Sequence, residues 1–289
     1  MRKAIIFLSD FGLDDVYVGV VKGVIANINP KANVIDLLHT IPLGDIQQAA
    51  FVLWQAFQYF PPKAVFLCVV DPGVGSERYP IIIACGKQFF VGPNNGIFSY
   101  VIHGRAYRSW KITNHSIIQK NLSNTFHGRD VFAPAAAHIT KGVSLERFGE
   151  ELHQVVTIPF PLFYVHKEGF SGEALFNDHF GNIITSIGRF IPIDDDKWEF
   201  NAWTDYSSSG KIVINPYKMK IHIPHLQINP LIIVKTFEDI PIGNCAAIIG
   251  SSGMIEIIAN QASAENILNI KKHDTIKLIY NENEKEGTI

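Results

Sequence analysis

Cysteine is scarce in this chain. Three residues in 289, Cys68, Cys85 and Cys245, stand far apart and form no C-x-x-C pair. An odd, sparse count argues against a disulfide framework, and each cysteine lies in an apolar stretch, so each is expected as a small core residue. Net charge is also small, at −2. The chain therefore lacks the electrostatic footprint of a nucleic-acid or anionic-lipid binder, and no run of Lys and Arg supplies a local one. No apolar run approaches the roughly 18–20 residues needed to span a membrane. The opening Met-Arg-Lys-Ala-Ile-Ile-Phe-Leu meets Ser9-Asp10 too soon for a signal peptide. The expectation is a cytoplasmic protein with no nucleic-acid and no membrane partner. Neither G-x-G-x-x-G nor G-x-x-x-x-G-K-[ST] occurs, which disfavours a dinucleotide or a P-loop phosphate. H-x-H and H-E-x-x-H are missing as well, so no catalytic metal is expected.

What remains is the composition of a globular protein with a substantial core, 47% hydrophobic and 18% charged. The length suits two domains. Residues 4–8 form an apolar run that breaks at Ser9-Asp10-Phe11-Gly12, a buried strand entering a loop. Residues 17–28 carry apolar side chains at helical spacing and stop at Asn29-Pro30. A second strand follows at 34–38. A second helix spans 45–57, capped by Asp45 and ended before Pro61-Pro62. A third strand at 64–70 runs into Asp71-Pro72-Gly73. This β-α-β-α-β order predicts an α/β fold whose N-terminal domain (1–160) holds a mainly parallel sheet flanked by helices. Gly92-Pro93-Asn94-Asn95-Gly96 marks a turn, and a helix is expected over 130–141 with Pro134 in its first turn. Pro159 and Pro161 introduce an expected linker at 161–169. Beyond it the helical period fades, and strand-like runs at 212–214, 231–235, 246–249 and 254–258 predict a smaller, mostly β C-terminal domain (170–289). The tail from Asn281 is expected to fray.

Several short segments carry chemistry. Ligands of parallel sheets collect beyond the carboxyl ends of the strands, where both Asp10 and Asp71 fall. In Asp71-Pro72-Gly73-Val74-Gly75-Ser76-Glu77-Arg78 an arginine returns seven positions after a carboxylate, which it can hold bidentately. Taken alone, this is a turn pinned by a salt bridge. In Thr125-Phe126-His127-Gly128-Arg129-Asp130, Asp130 suits a helix N-cap, but capping explains neither His127 nor Gly128. Asp10 can accept both hydroxyls of a ribose diol, whereas Asp14 and Asp15 fit the start of a helix. Asn177-Asp178-His179-Phe180-Gly181-Asn182 offers a carboxylate, an aromatic face and an amide. Gly250-Ser251-Ser252-Gly253 offers hydroxyls and backbone N–H groups. Each of these two also reads as an ordinary loop. His103, His115, His138 and His222 read as ordinary core or surface positions.

Six segments in chain order, Ser9-Asp10-Phe11-Gly12, Val70-Asp71-Pro72-Gly73-Val74-Gly75, Gly92-Pro93-Asn94-Asn95-Gly96, Phe126-His127-Gly128-Arg129-Asp130, Asp178-His179-Phe180-Gly181-Asn182 and Gly250-Ser251-Ser252-Gly253, together resemble the adenosine-forming S-adenosylmethionine hydrolases, also called SAM hydroxide adenosyltransferases, relatives of the fluorinases and chlorinases. The likeness spans nearly the whole chain. It implies cleavage of S-adenosyl-L-methionine by water into adenosine and L-methionine, with Asp71, Arg78 and His127 as the catalytic set and no cofactor. It also implies substrate-binding roles: Asp10 for the ribose diol, Asp178 and Ser251 for the methionine end with Tyr17 nearby, and Asn182 and Phe180 for the adenine. A homotrimer with its sites at subunit interfaces is implied too. Halogenating relatives carry an arginine after the serine of the last segment, where this chain has Ser252, so the methionine carboxylate must rely on hydroxyl and backbone donors. Competing readings are a non-catalytic sensor of S-adenosylmethionine or adenosine, a halide-dependent adenosyl transferase and a metal-dependent phosphohydrolase.

Overall fold

The computed structural model describes residues 4–203 and 211–280, and the tail from Asn281 lies outside them. The chain divides into two compact units, Met1–Ile158 and Pro159–Ile289.

In the first unit β1 (Ala4–Ser9), α1 (Tyr17–Ile28), β2 (Asn33–Leu38), α2 (Ile46–Ala56) and β3 (Val65–Val69) follow the expected order. β4 (Pro80–Cys85), β5 (Gln88–Pro93), the short α3 (Ser99–Ile102), β6 (Tyr107–Lys111) and α4 (Ala133–Thr140) complete it. The sheet order is β2-β1-β3-β5-β4-β6. β2, β1, β3 and β5 are parallel, while β4 pairs antiparallel with β5 and β6. The apolar runs are continuous because the sheet is covered on both faces. Ile5, Phe7, Val65, Leu67 and Val69 pack with α1 and α4, whereas Ile6, Leu8, Phe66 and Cys68 pack with Ala49 and Leu53 of α2. The alternation is the two-residue period of a strand. Asp45 caps α2, its carboxylate accepting from Gln48 N–H at 2.9 Å.

The helix expected over 130–141 begins differently. A π-helical turn, Gly128–Phe132, precedes α4, and Pro134 lies in the first turn of α4. Asp130 sits inside that turn and caps nothing. Its buried carboxylate instead accepts from Arg129 Nε at 2.6 Å, Arg129 Nη2 at 2.9 Å and Ser123 N–H at 2.7 Å. The arginine next door outcompetes the helix end as a partner, because a charge-assisted bidentate pair is the stronger interaction.

The second unit contains β7 (Phe163–His166), β8 (Gly169–Asn177), β9 (Ile183–Thr185), β10 (Phe190–Pro192), β11 (Trp198–Phe200), β12 (Ile212–Ile214), β13 (Met219–His222), β14 (Leu231–Ile232), β15 (Cys245–Ile249), β16 (Ile255–Ala259), α5 (Ala264–Leu268) and β17 (Thr275–Tyr280). The larger sheet runs β14-β13-β17-β8-β9-β16-β15 with β7 on β8, and β10-β11-β12 form a small antiparallel sheet. The segment 161–169, expected as a linker, carries β7, whose Phe163 and Val165 pack on the second core. The strand expected over 231–235 is shorter, because only Leu231 and Ile232 pair with β13 before Ile233 turns to bridge Ala247.

Candidate functional site

Strands β1 and β3 are neighbours in register, with Ser9 opposite Val69. The residues that follow them, Asp10 and the Val70-Asp71 pair, therefore emerge side by side at the carboxyl edge of the sheet. Asn95 fixes the end of β3, its Nδ2 donating to Val70 O at 2.8 Å, which gives the 92–96 turn its purpose. The next eight residues fold back on themselves through Val74 N–H to Asp71 O at 3.2 Å and Ser76 N–H to Gly73 O at 3.0 Å. This return brings Arg78 onto Asp71. Gly75, at φ +81°, passes so close to the 123–127 segment that a Cβ would stand 2.7 Å from Asn124 O. A side chain there would push apart the two segments that carry Arg78 and His127.

Arg78 Nε donates to Asp71 Oδ1 at 2.7 Å, and Nη2 closes the fork on Oδ2. Both side chains are buried, 9% and 5% exposed. Nη2 also donates to His127 Nδ1 at 3.0 Å. Arginine has only donors, so Nδ1 is the acceptor and the imidazole proton resides on Nε2. Burial, and then the adjacent guanidinium, push the His127 pKa below its usual value. Arg78 Nη1 is buried and has no hydrogen-bond partner among the described residues. The guanidinium also lies 5.6 Å from the centre of the Phe132 ring. The three residues expected as a catalytic set thus form one contiguous, mostly desolvated cluster.

Asp10 is next to it. Its Oδ2 accepts from Gly44 N–H at 2.9 Å. Burial pushes its carboxyl above the usual range; the Gly44 hydrogen bond opposes that shift and the Asp71 charge reinforces it. Tyr17, half-exposed, stacks edge-on with Phe126 at 5.3 Å between centroids, and Phe11 lies 6.0 and 5.9 Å from the two. Gly128 has no side chain because Phe11 fills the space: a Cβ would meet its ring at 3.0 Å.

One feature the motifs did not disclose underlies Asp10. Ser9 Oγ and His39 Nδ1 are 2.7 Å apart, His39 Nε2 is 3.1 Å from Asp36 Oδ1, and Lys22 Nζ donates to Asp36 Oδ2 at 2.6 Å. Ser9 and His39 are buried, so this Ser–His–Asp chain is closed to a substrate. His39 also accepts Gly12 N–H on its backbone oxygen at 2.8 Å, bracing both sides of the loop that carries Asp10. Thirty residues separate Ser9 from His39, and no spacing rule connects them.

In the second unit the turn between β8 and β9 is organised by Asp178. Its Oδ1 accepts from Phe180 N–H at 2.8 Å and Asn182 N–H at 2.9 Å, and its Oδ2 from Asn182 Nδ2 at 2.9 Å. The Asn182 amide nitrogen is thereby engaged, which leaves its carbonyl oxygen to accept. Phe180 and Asn182 line a cavity of about 600 Å³ together with Phe237, Asn260 and Gln261. Phe180 is 76% exposed and Phe237 40%. Two aromatic faces and several amides suit a flat, nitrogen-rich ring. Ser251 is exposed on the turn between β15 and β16, and Ser252 Oγ is buried without a partner among the described residues.

A separate cavity of about 650 Å³ in the first unit is lined by Gln119, Lys120, Arg129, Asp130 and His138, and includes none of Asp71, Arg78 or His127. Among the described residues no three His, Cys, Asp or Glu side chains converge as metal ligands. Among the same residues no helix is long and apolar enough to cross a membrane.

Comparison with known proteins accounts for both units. Residues 5–149 match the SAM hydroxide adenosyltransferase N-terminal domain and residues 172–277 the C-terminal domain. The chain is 34% identical to an (R)-S-adenosyl-L-methionine hydrolase of Thermus thermophilus, covering 96% of this chain and 100% of the relative. It is 25% identical to a fluorinase of Actinopolyspora mzabensis over 96% and 97% of the two chains. Among solved structures, an uncharacterized conserved protein from Thermotoga maritima superposes with a TM-score of 0.80 at 34% identity, covering 95% of this chain and 99% of that one.

Proposed function

The chain belongs to the SAM hydroxide adenosyltransferase family, and on that premise we propose that it hydrolyses S-adenosyl-L-methionine to adenosine and L-methionine. The observation that carries this reading is the Asp71–Arg78–His127 cluster, in which a bidentate guanidinium orients a buried carboxylate and at the same time fixes the histidine tautomer.

The sulfonium is an excellent leaving group, so C5′ is open to in-line displacement. A water oxygen forms the new bond to C5′, the C5′–S bond breaks, and its electron pair stays on sulfur as the neutral thioether of methionine. Asp71 accepts the proton the water sheds. His127 presents Nε2–H, and the unpartnered Nη1 of Arg78 is a further buried donor, so the water's remaining hydrogen bonds are supplied by fixed groups. Base catalysis of this kind supplies roughly 10²–10⁴-fold, and positioning supplies about 7–11 kcal/mol. Orientation outweighs deprotonation, and the chemistry calls for no cofactor and no metal.

Asp10 takes the ribose diol, with Tyr17 beside it. Phe180 stacks on the adenine, and Asn182 Oδ1 accepts from its amino group. Asp178 and Ser251 serve the methionine end. We include in the proposal a cytoplasmic homotrimer with sites at subunit interfaces; a chain that is monomeric by light scattering at assay concentration yet fully active overturns that part.

The direct test incubates the protein with S-adenosyl-L-methionine and quantifies products, with and without chelator and across a halide titration. Equimolar adenosine and methionine, unaffected by either addition, is the expected result. A 5′-halo-adenosine supports the halide-dependent reading, loss of activity with chelator supports a metal enzyme, and unchanged substrate retained on the protein supports a sensor.

A further inference from the structure

Glu256 stands in β16, opposite Ile184 of β9 on one side and Ile248 of β15 on the other. Directly opposed residues share a face of the sheet, as do residues two apart on one strand. The register therefore places Asn182 and Gly250 on the face that Glu256 occupies. Gly250 corroborates this: a Cβ there would stand 1.7 Å from Glu256 Oε1 and 2.2 Å from Cδ. The carboxyl fills the space against the 250–253 turn, which is closed by Gly253 N–H to Gly250 O and Gly250 N–H to Met254 O, both at 2.8 Å. That turn carries the exposed Ser251 and the buried, unpartnered Ser252 Oγ.

The Asp178 charge reaches the Glu256 carboxyl beside the turn to which the methionine end of the substrate was assigned, and the two carboxyls are not equivalent. Asp178 already accepts three hydrogen bonds from its own loop, most of a carboxylate's capacity. The Glu256 carboxyl has neither a cation nor a hydrogen-bond donor as partner among the described residues. Burial, and then the Asp178 charge, push it up to about 7. A partly buried acid held in this way is relieved by an arriving cation. An ammonium fits, since it brings three donors and no acceptor, and Ser252 Oγ can accept one of them.

We propose that Glu256 is the residue that binds the α-ammonium of the substrate, and that Asp178 serves the methionine end by shaping the adjacent loop. This deepens the hydrolase reading and rests on it.

The test uses two sulfoniums, S-adenosyl-L-methionine and the S-adenosyl adduct of 4-(methylthio)butanoate, which differ only in the α-ammonium. Both are measured by calorimetric binding and by turnover. The wild-type chain should prefer the natural substrate by about tenfold, an ion pair's worth of affinity. Glu256→Gln should weaken S-adenosyl-L-methionine by about that factor, leave the analogue unchanged, and alter kcat little for either, because the ammonium is remote from C5′. The replacement is isosteric and removes a like charge, and its melting curve checks folding.

Equal losses on both ligands, or no loss on either, overturn the proposal. So does Asp178→Asn erasing the preference while Glu256→Gln keeps it. If the wild-type chain binds both sulfoniums without cleaving them, the hydrolase reading fails but the binding arm still decides Glu256. If it binds neither, both readings fall.

Discussion

Arg78 Nη2 donates to His127 Nδ1 at 3.0 Å while the same guanidinium grips Asp71. One residue therefore orients the carboxylate and sets the tautomer of the imidazole. The bond requires a bare Nδ1, so protonation of His127 breaks it and places two cations in contact.

The pH dependence follows from that relationship. The His127 pKa is depressed, by burial first and by Arg78 second. The active, neutral form should persist below the usual histidine value of about 6.5. A kcat/KM profile should show its acid limb below that pH and a plateau through neutrality. An acid limb centred above pH 7 contradicts the assignment.

Asp71→Asn keeps the shape and removes the proposed base. Turnover should fall by about 10²–10⁴-fold with binding retained, as read by single-turnover kinetics beside calorimetry. Arg78→Ala leaves a buried carboxylate unpaired, which costs about 3–5 kcal/mol. Chemical denaturation should find Asp71→Asn/Arg78→Ala more stable than Arg78→Ala alone.

Much of this cluster was legible in the residues. The β-α-β-α-β order placed Asp10 and Asp71 at one sheet edge, and the apolar runs of β1 and β3 announced strands covered on both faces. Arg78 was legible through its return to Asp71. Asp130 was misread as a cap because spacing says nothing of competition from Arg129. The segment 161–169 was misread as a linker because its prolines outweighed the apolar Phe163 and Val165. His39, Phe237 and Glu256 were invisible for a different reason. Each acquires its role from strand register or long-range packing, with no local pattern to mark it.

His39 braces the Asp10 loop through its side chain on Ser9 and its backbone oxygen on Gly12. His39→Ala should raise KM for S-adenosyl-L-methionine more than it lowers kcat, and should erode discrimination against the 2′-deoxy analogue. It also leaves the buried Ser9 hydroxyl with only the 3.4 Å bond it accepts from Phe11 N–H, at a cost of about 1–3 kcal/mol in stability. A substitution that lowers stability but leaves the diol preference intact contradicts the bracing role.

Glu256 links stability to pH. Its folded pKa, about 7, lies above the ordinary value of 4.5. The folded chain therefore holds the proton more tightly, and this contribution is present below pH 4.5 and lost as pH rises through 7. Relative to Glu256→Gln, the wild-type chain should lose about 1–3 kcal/mol across that window. Denaturation curves at pH 4.5, 6 and 8 measure it, and parallel pH profiles for the two proteins contradict it.

The most direct measurement is to cleave S-adenosyl-L-methionine in ¹⁸O-water without added metal and examine the products by mass spectrometry. Label is expected in the 5′-hydroxyl of adenosine together with unlabelled free methionine, and no such adenosine from Asp71→Asn on the same timescale. Substrate recovered intact, or label anywhere other than the 5′-oxygen, contradicts attack by an Asp71-held water on C5′.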